Sequence, residues 1–346
     1  MDLPVQPPLE PMEAELVREV PGGGAWQYEP KWDGFRCIAF RDGKTVELQS
    51  KSGQGLTRYF PEAVAYLAAL KPDRFVLDGE LVIPGPEGLS FDALLARVHP
   101  AASRVRMLAE TTPSKLLVFD LLVDEHGEDL RALPLRERRA RLERFAARAF
   151  PKKGPVLLSP ATTEPRLAEK LLGTRGTDGV IAKRAEAAYL AGSREGMVKV
   201  KPQRTVDCVV GGFRWAADRK RGVGSLLLGL HDDEGLLQHV GYCSSFDAAQ
   251  REELTKLLPE WIAEPGFTGK KPGGPSRWST RSGEWEPLAT KFVVEVGYDH
   301  YSQGRFRHGT QFLRWRPDKA PRQCSMSQLE RVPVALHDGF GAVAGE

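Results

Sequence analysis

Between Cys37 and Pro202, apolar runs of strand length recur, and most of them are broken by charges that follow no solvent-facing period. The runs read "CIAF", "VELQS", "RFVLDGELV", "KLLVFDLLV", "PVLLSP", "DGVIAKR" and "MVKVKP". Between them lie helical stretches, "FPEAVAYLAAL" and "LPLRERRARLERFAARAF", the second with Leu135, Leu142, Phe145 and Phe150 near a 3.6-residue period. This mixed order predicts an α+β domain rather than a regular doubly wound sheet. The charge-rich second helix is expected to present a solvated amphipathic face.

After "VKPQRTVD" the texture changes. Short strand-like runs ("CVVGGFRW", "GSLLLGLHD", "LLQHVGYCS", "FVVEVGYDH", "TQFLRWRP") alternate with Gly, Asp and Ser turns, and one helix, "AAQREELTKLLPEWIAE", interrupts them. That pattern fits a small β-barrel of the OB type. The expected division is a mixed α/β domain over 1–203, an OB-fold domain over 204–335 and a frayed tail over 336–346. The segment Pro202–Thr205 is short enough to hinge, and "GFTGKKPGGPSRWSTRSGEW" reads as a long loop.

With 41% hydrophobic and 27% charged residues, the 346-residue chain can bury a sizeable core. Its four cysteines form no Cys-x-x-Cys pair, which argues against a disulfide scaffold or zinc ribbon and for a reducing, cytoplasmic setting. "MDLPVQPPLEPM" does not read as a secretory leader, and no apolar stretch approaches the roughly 20 residues that cross a bilayer. A net charge of +3 permits a polyanionic partner without requiring one.

The chemistry concentrates where charges break strands. "YEPKWDGFRCIAF" sets Lys31, Asp33 and Arg36 within six positions of an otherwise apolar strand. Brought to one cleft, Lys31, Arg36, Lys183, Arg194, Lys199, Lys201 and Lys319 would face only Asp33, Glu80 and Asp178. A cation surplus with a few carboxylates suits a triphosphate together with a divalent metal. Lys199 and Lys201 are two apart on a strand, so both point to one face and repel unless an anion or other partner lies between them. An edge strand with protective lysines is the plainer reading of that pair.

In order, these motifs resemble the covalent nucleotidyltransferase superfamily, and within it the ATP-dependent DNA ligases of the small bacterial LigC type. Lys31-x-Asp33-Gly34-x-Arg36 looks like motif I, Asp78-Gly79-Glu80 motif III, Phe119-Asp120 motif IIIa and Asp178-Gly179-Val180 motif IV. Lys199-Val-Lys201 looks like motif V, and Arg316-Pro-Asp318-Lys319 motif VI. The resemblance runs from about residue 8 to about residue 320.

It implies that Lys31 attacks the α-phosphate of ATP, holds AMP as a phosphoramide and passes it to the 5′-phosphate of nicked duplex DNA. The 3′-hydroxyl then displaces AMP and seals the strand. A lysine of pKa about 10.4 is neutral about once in a few thousand at pH 7, so neighbouring cations that depress this value would aid attack. Glu29, Arg36, Glu80, Phe119, Lys183, Lys199, Lys201, Arg316, Asp318 and Lys319 are the implied nucleotide contacts. Glu80 would take the ribose hydroxyl, Phe119 would stack on adenine, and motif VI would reach the β- and γ-phosphates when the OB domain closes. Asp33 and Asp178 are the implied metal-side carboxylates, for Mg²⁺ or Mn²⁺.

Lys51, Arg194, Arg214, Lys220, Arg221, Lys270, Lys271 and Arg277 are the expected DNA contacts, several of them interleaved with aromatics. A monomer is expected, with end-binding or repair proteins as possible partners. The chain departs from the family pattern at Ser50-Lys51, where Ser-Arg is usual, at Asp178, where Glu is usual, and at "PMEAEL", where "PMLAK" is expected. The residues alone leave open an RNA ligase, a GTP-using capping-type enzyme or a catalytically silent nucleic-acid-binding OB protein.

Overall fold

The computed structural model describes residues 1–85, 88–151, 154–172, 177–202, 204–216, 222–273 and 284–329. The chain divides into two compact units, the first running over Met1–Pro202 and the second over Gln203–Val332.

The first unit contains, in order, β1 (Glu15–Val17), β2 (Trp26–Trp32), β3 (Phe35–Asp42), β4 (Thr45–Ser50), α1 (Pro61–Ala68), β5 (Arg74–Val82), β6 (Pro84–Gly85) and β7 (Gly88–Leu89). There follow α2 (Phe91–Arg97), α3 (Ala102–Thr111), β8 (Lys115–Val123), α4 (Leu135–Ala149), β9 (Val156–Leu158), α5 (Pro165–Leu171), β10 (Thr177–Arg184) and β11 (Met197–Val200). The larger sheets are a four-stranded one, β1-β11-β10-β2, and a five-stranded one, β4-β3-β5-β8-β9.

Side-chain alternation explains how each sheet is used. One face of the five-stranded sheet (Cys37, Ala39, Leu77, Leu121) is covered by apolar residues of the helices, including Ala63, Leu67, Leu142 and Phe145. Phe75 and Phe145 meet edge to face with centroids 5.5 Å apart. Its other face carries Ile38, Phe40, Val76 and Leu122 against Leu3, Val5, Leu9, Met12, Tyr189 and Met197. In the four-stranded sheet Tyr28, Val180 and Ala182 pack on Ala168 and Leu171 of α5, leaving the alternate residues to face the other way.

The charge-rich helix α4 is not simply a solvated face. Arg138 and Arg139 are buried. Arg138 grips Asp120 of β8 through two 3.0 Å hydrogen bonds and also donates to the carbonyls of Leu133 and Ala187. A buried carboxylate opposite turns what reads as a surface arginine into an internal tie.

The second unit contains β12 (Arg204–Trp215), β13 (Val223–His231), β14 (Leu237–Cys243), α6 (Ala248–Leu257), β15 (Glu286–Pro287), β16 (Val293–Tyr298), β17 (Tyr301–Ser302), β18 (Arg305–Phe306) and β19 (Gln311–Trp315). Its main sheet is ordered β14-β13-β12-β16-β19, with β15 added to β12. The edge strand β14 meets the residue before β19 at a single bridge, Cys243 to Thr310. The unit is therefore OB-like, a curled sheet without a closed ladder among the described residues. Asp247 caps α6 with a complete capping box to Gln250, satisfying amides at the helix start. No helix among the described residues is long and apolar enough to cross a membrane.

Candidate active site

In β2, Gln27, Glu29 and Lys31 alternate with core residues and so point to one face. Ile181 pairs with both Glu29 and Lys199, and Lys183 with both Gln27 and Met197, so β10 and β11 add their side chains to that face. From the five-stranded sheet come Arg36, Glu80 and Phe119. With Glu29, Lys31, Lys183, Lys199, Pro11–Ala14, Lys51 and Lys201, these three line a cleft of about 300 Å³ within the first unit.

Two glycines make the arrangement possible. Gly34 lets the chain cross from β2 to β3 against β5; a Cβ there would lie 2.4 Å from the Leu81 carbonyl oxygen. At Gly179 φ is +128°, and a Cβ would meet the Val200 carbonyl oxygen at 2.0 Å. The ladder between β2 and β10 slips here: Thr177 pairs with Trp32 and Val180 with Pro30, so Asp178 and Gly179 together oppose Lys31. This bulge re-aims Asp178 at the lysine.

The Lys31 ammonium donates to Asp178 Oδ2 at 2.8 Å, and Lys201 Nζ lies 3.4 Å from the same oxygen. Asp178 is thus the anion beside the motif V lysines. Burial first, then repulsion from Lys31, Lys51, Lys201 and Arg194, lowers the Lys199 pKa. Glu13 accepts from Lys51 at 2.8 Å and from Arg194 at 3.1 Å, and the Lys51 hydrogen bond leads the effects holding its carboxyl below the usual range.

Deeper in, charges are matched. Lys183 pairs with Glu29 at 2.8 Å, and Gln27 donates to the other Glu29 oxygen at 2.6 Å. Arg36 binds Asp78 through two hydrogen bonds of 2.5 Å, and Tyr189 donates to Asp78 Oδ2 at 2.7 Å. Arg36 and Lys183 each stand 4.6 Å from the Phe119 ring centroid. Burial pushes the Glu80 carboxyl up to about 7, against the pull of Arg36 and Lys31.

In the second unit, Arg316 holds Asp207 through hydrogen bonds of 2.9 and 3.1 Å, Lys319 reaches Asp207 at 2.7 Å, and Asp318 pairs with Arg316 at 2.8 Å. Lys270 and Lys271 are exposed, while the Arg214 Nε is buried without a hydrogen-bond partner among the described residues. Lys220, Arg221 and Arg277 lie outside the described residues, as does the 336–346 tail.

The first unit thus brings together Glu29, Lys31, Arg36, Lys51, Glu80, Phe119, Asp178, Lys183, Lys199 and Lys201, with Arg194 tied to the cleft through Glu13. Asp33 is close enough to add to the electrostatics of Glu80. Sequence reasoning missed Glu13, Gln27, Tyr189 and Asp207 and gave Asp78 no role. Gln27 meets Glu29 two residues along its own strand, whereas Glu13, Asp78, Tyr189 and Asp207 are recognised only by partners in distant segments.

Among the described residues, no group of three or more His, Cys, Asp and Glu side chains is placed to hold a metal. Asp178 Oδ2 is paired with Lys31 and Lys201, and Asp33 lies near enough to Glu80 to act on its charge.

The cleft of the first unit thus holds a lysine just before a strand crossing with several further cations on its walls. The ATP dependent DNA ligase domain matches residues 11–201, and the ATP dependent DNA ligase C terminal region matches residues 219–319. DNA ligase C2 of Mycolicibacterium smegmatis is 46% identical over 96% of this chain and 97% of its own length. DNA ligase C of Mycobacterium tuberculosis is 43% identical over 98% of each. A solved Lig E DNA ligase shares the fold, with TM-score 0.50 and 16% identity over 88% of this chain and 100% of that one. The chain belongs to the ATP-dependent DNA ligase family.

Proposed function

We propose that the chain seals 3′-hydroxyl/5′-phosphate nicks in duplex DNA through AMP carried on Lys31. The observation that supports this most is the cluster of cations at the Lys31 end of the cleft: Lys31 and Lys201 share Asp178, Lys51 and Arg194 share Glu13, and Lys199 feels the repulsion of all four cations. ATP enters with its base towards Glu29, Lys183 and Phe119, its ribose near Glu80 and Arg36, and its phosphates towards the lysines.

The Lys31 nitrogen, released from Asp178 and deprotonated, attacks the α-phosphorus; the P–O bond breaks and pyrophosphate leaves. Lys199 and Lys201 stabilise charge on the phosphorus oxygens. Arg316 and Lys319, gathered on Asp207, form a cation pair suited to the pyrophosphate. An oxygen of the DNA 5′-phosphate then attacks the AMP phosphorus, the P–N bond breaks and Lys31 takes a proton back. The 3′-hydroxyl oxygen finally attacks the activated 5′-phosphorus and AMP departs. A divalent cation at Asp33 and Asp178 would neutralise phosphate charge. Lys51, Arg194, Arg214, Lys270 and Lys271 contact the duplex backbone, and the chain acts as a monomer in the cytoplasm.

The test is a pulse and chase: α-labelled ATP or GTP with the protein, then nicked DNA or nicked RNA. Label from ATP that moves to nicked DNA and yields a sealed strand is expected. Charging by GTP, or transfer only to RNA, would replace this reading with a capping-type or RNA-ligase function.

A further inference from the structure

The segment before β1 is fastened at Leu9, Met12 and Glu13. The Leu9 amide and carbonyl are clasped by the Gln49 side chain at 2.8 and 2.6 Å, two residues before Lys51. The Met12 amide donates to Tyr189 Oη at 3.1 Å and the Glu13 amide to the Ser193 carbonyl at 2.8 Å, next to Arg194. The backbone thus sets Glu13 between Lys51 and Arg194, one cation on each carboxylate oxygen.

Both cations are largely exposed, 60% for Lys51 and 68% for Arg194, whereas Glu13 is 28% exposed. Exposed ion pairs are weak and exchangeable. Lys51 and Arg194 also contribute to the repulsion that lowers the Lys199 pKa, so they share the electrostatics of the phosphate end of the cleft.

We infer that Glu13 is a specificity-determining residue: a built-in anion that Lys51 and Arg194 exchange for the terminal 5′-phosphate of a nick, and that screens out ordinary backbone phosphates. This rests on the reading of Lys51 and Arg194 as DNA contacts. Charge decides which ligand wins. A backbone phosphodiester carries one negative charge and only matches the carboxylate it must displace. A terminal phosphate monoester carries roughly 1.5 to 2 charges at pH 7 and out-competes it. Without Glu13 the same cations would grip any stretch of duplex, as sequence-independent phosphate binding does.

The experiment compares wild type and Glu13→Gln as full chains, without ATP or metal, binding fluorescent nicked duplexes that end in 5′-phosphate or 5′-hydroxyl, at fixed salt. Glu13→Gln is expected to tighten binding of the 5′-hydroxyl nick roughly 3- to 10-fold, about the worth of two exposed ion pairs. The 5′-phosphate nick should gain about twofold or less, so the preference shrinks. Glu13→Asp, which keeps the charge, should retain most of the preference. A preference unchanged or increased in Glu13→Gln, or lost equally in Glu13→Asp, overturns the inference. Lys51→Ala and Arg194→Ala separate the two layers. If neither weakens the 5′-phosphate nick, the DNA-contact reading falls and the inference with it; if they do weaken it while Glu13→Gln leaves the preference intact, the inference alone falls.

Discussion

The two ends of the cleft are built on opposite principles. At the inner end charges are matched and mostly buried: Glu29 with Lys183 at 3% and 8% exposure, and the fully buried Asp78 with Arg36 and Tyr189. At the outer end Lys31 and Lys201 share Asp178, Lys51 and Arg194 share Glu13, Lys199 feels the repulsion of these cations, and the group stands partly in solvent. Buried, matched pairs hold a geometry, because separating them leaves an uncompensated charge in a poor dielectric. Exposed, surplus cations hold little among themselves and exchange partners readily. The inner end is therefore suited to fixing a base and ribose. The outer end is suited to phosphates that arrive, react and leave.

This contrast can be broken by substitution. Lys31→Arg keeps the charge at the outer end while removing the amine nucleophile, so if charge alone sufficed some adduct would form. The expected loss of protein–AMP is at least about a thousand-fold, read by gel after labelling with α-labelled ATP. Arg36→Ala strikes the inner end by leaving the fully buried Asp78 with Tyr189 as its main support. A stability loss of about 3 kcal/mol is expected from the denaturant midpoint, the low end for a broken buried pair because Arg36 is partly exposed. Lys51→Ala, at the outer end, should leave that midpoint nearly unchanged.

Phe119→Ala removes the ring between the two inner cations and the proposed base. Losing one base-stacking surface should raise the KM for ATP about 10-fold with a smaller change in kcat. A kcat collapse at unchanged KM would place the ring's role elsewhere.

The smallest effect concerns pH. Glu80 has its carboxyl pushed up to about 7 by burial, so between its ordinary value of 4.5 and 7 the folded protein holds more protons than the unfolded chain. Stability therefore falls as pH rises through that window and levels off above it. Glu80→Gln should flatten this limb in thermal melts between pH 5 and about 8. An unchanged slope would assign it to other groups.

Much of this was legible because strand alternation does two jobs at once. In "YEPKWDGFR" the residues between apolar neighbours are those that reach the cleft, and the glycines of "KWDGF" and "TDGV" mark the strand crossing and the bulge. The sheet runs of the second unit were visible for the same reason. What stayed hidden depends on partners far away in the chain. Arg138 reads as a surface arginine until Asp120 stands opposite it, and Glu13 reads as an ordinary exposed acid until Lys51 and Arg194 close on it. The open edge of the second sheet depends on how far a curled ladder closes, which strand periodicity does not encode.

The most direct test of the central claim is to find where the nucleotide sits. The full chain is incubated with ATP and Mg²⁺, digested at a pH that preserves the phosphoramide, and mapped by mass spectrometry. The account predicts AMP on the peptide carrying Lys31 and its loss when nicked DNA is added. AMP on Lys199, Lys201 or another lysine, or an adduct that nicked DNA does not discharge, would contradict it.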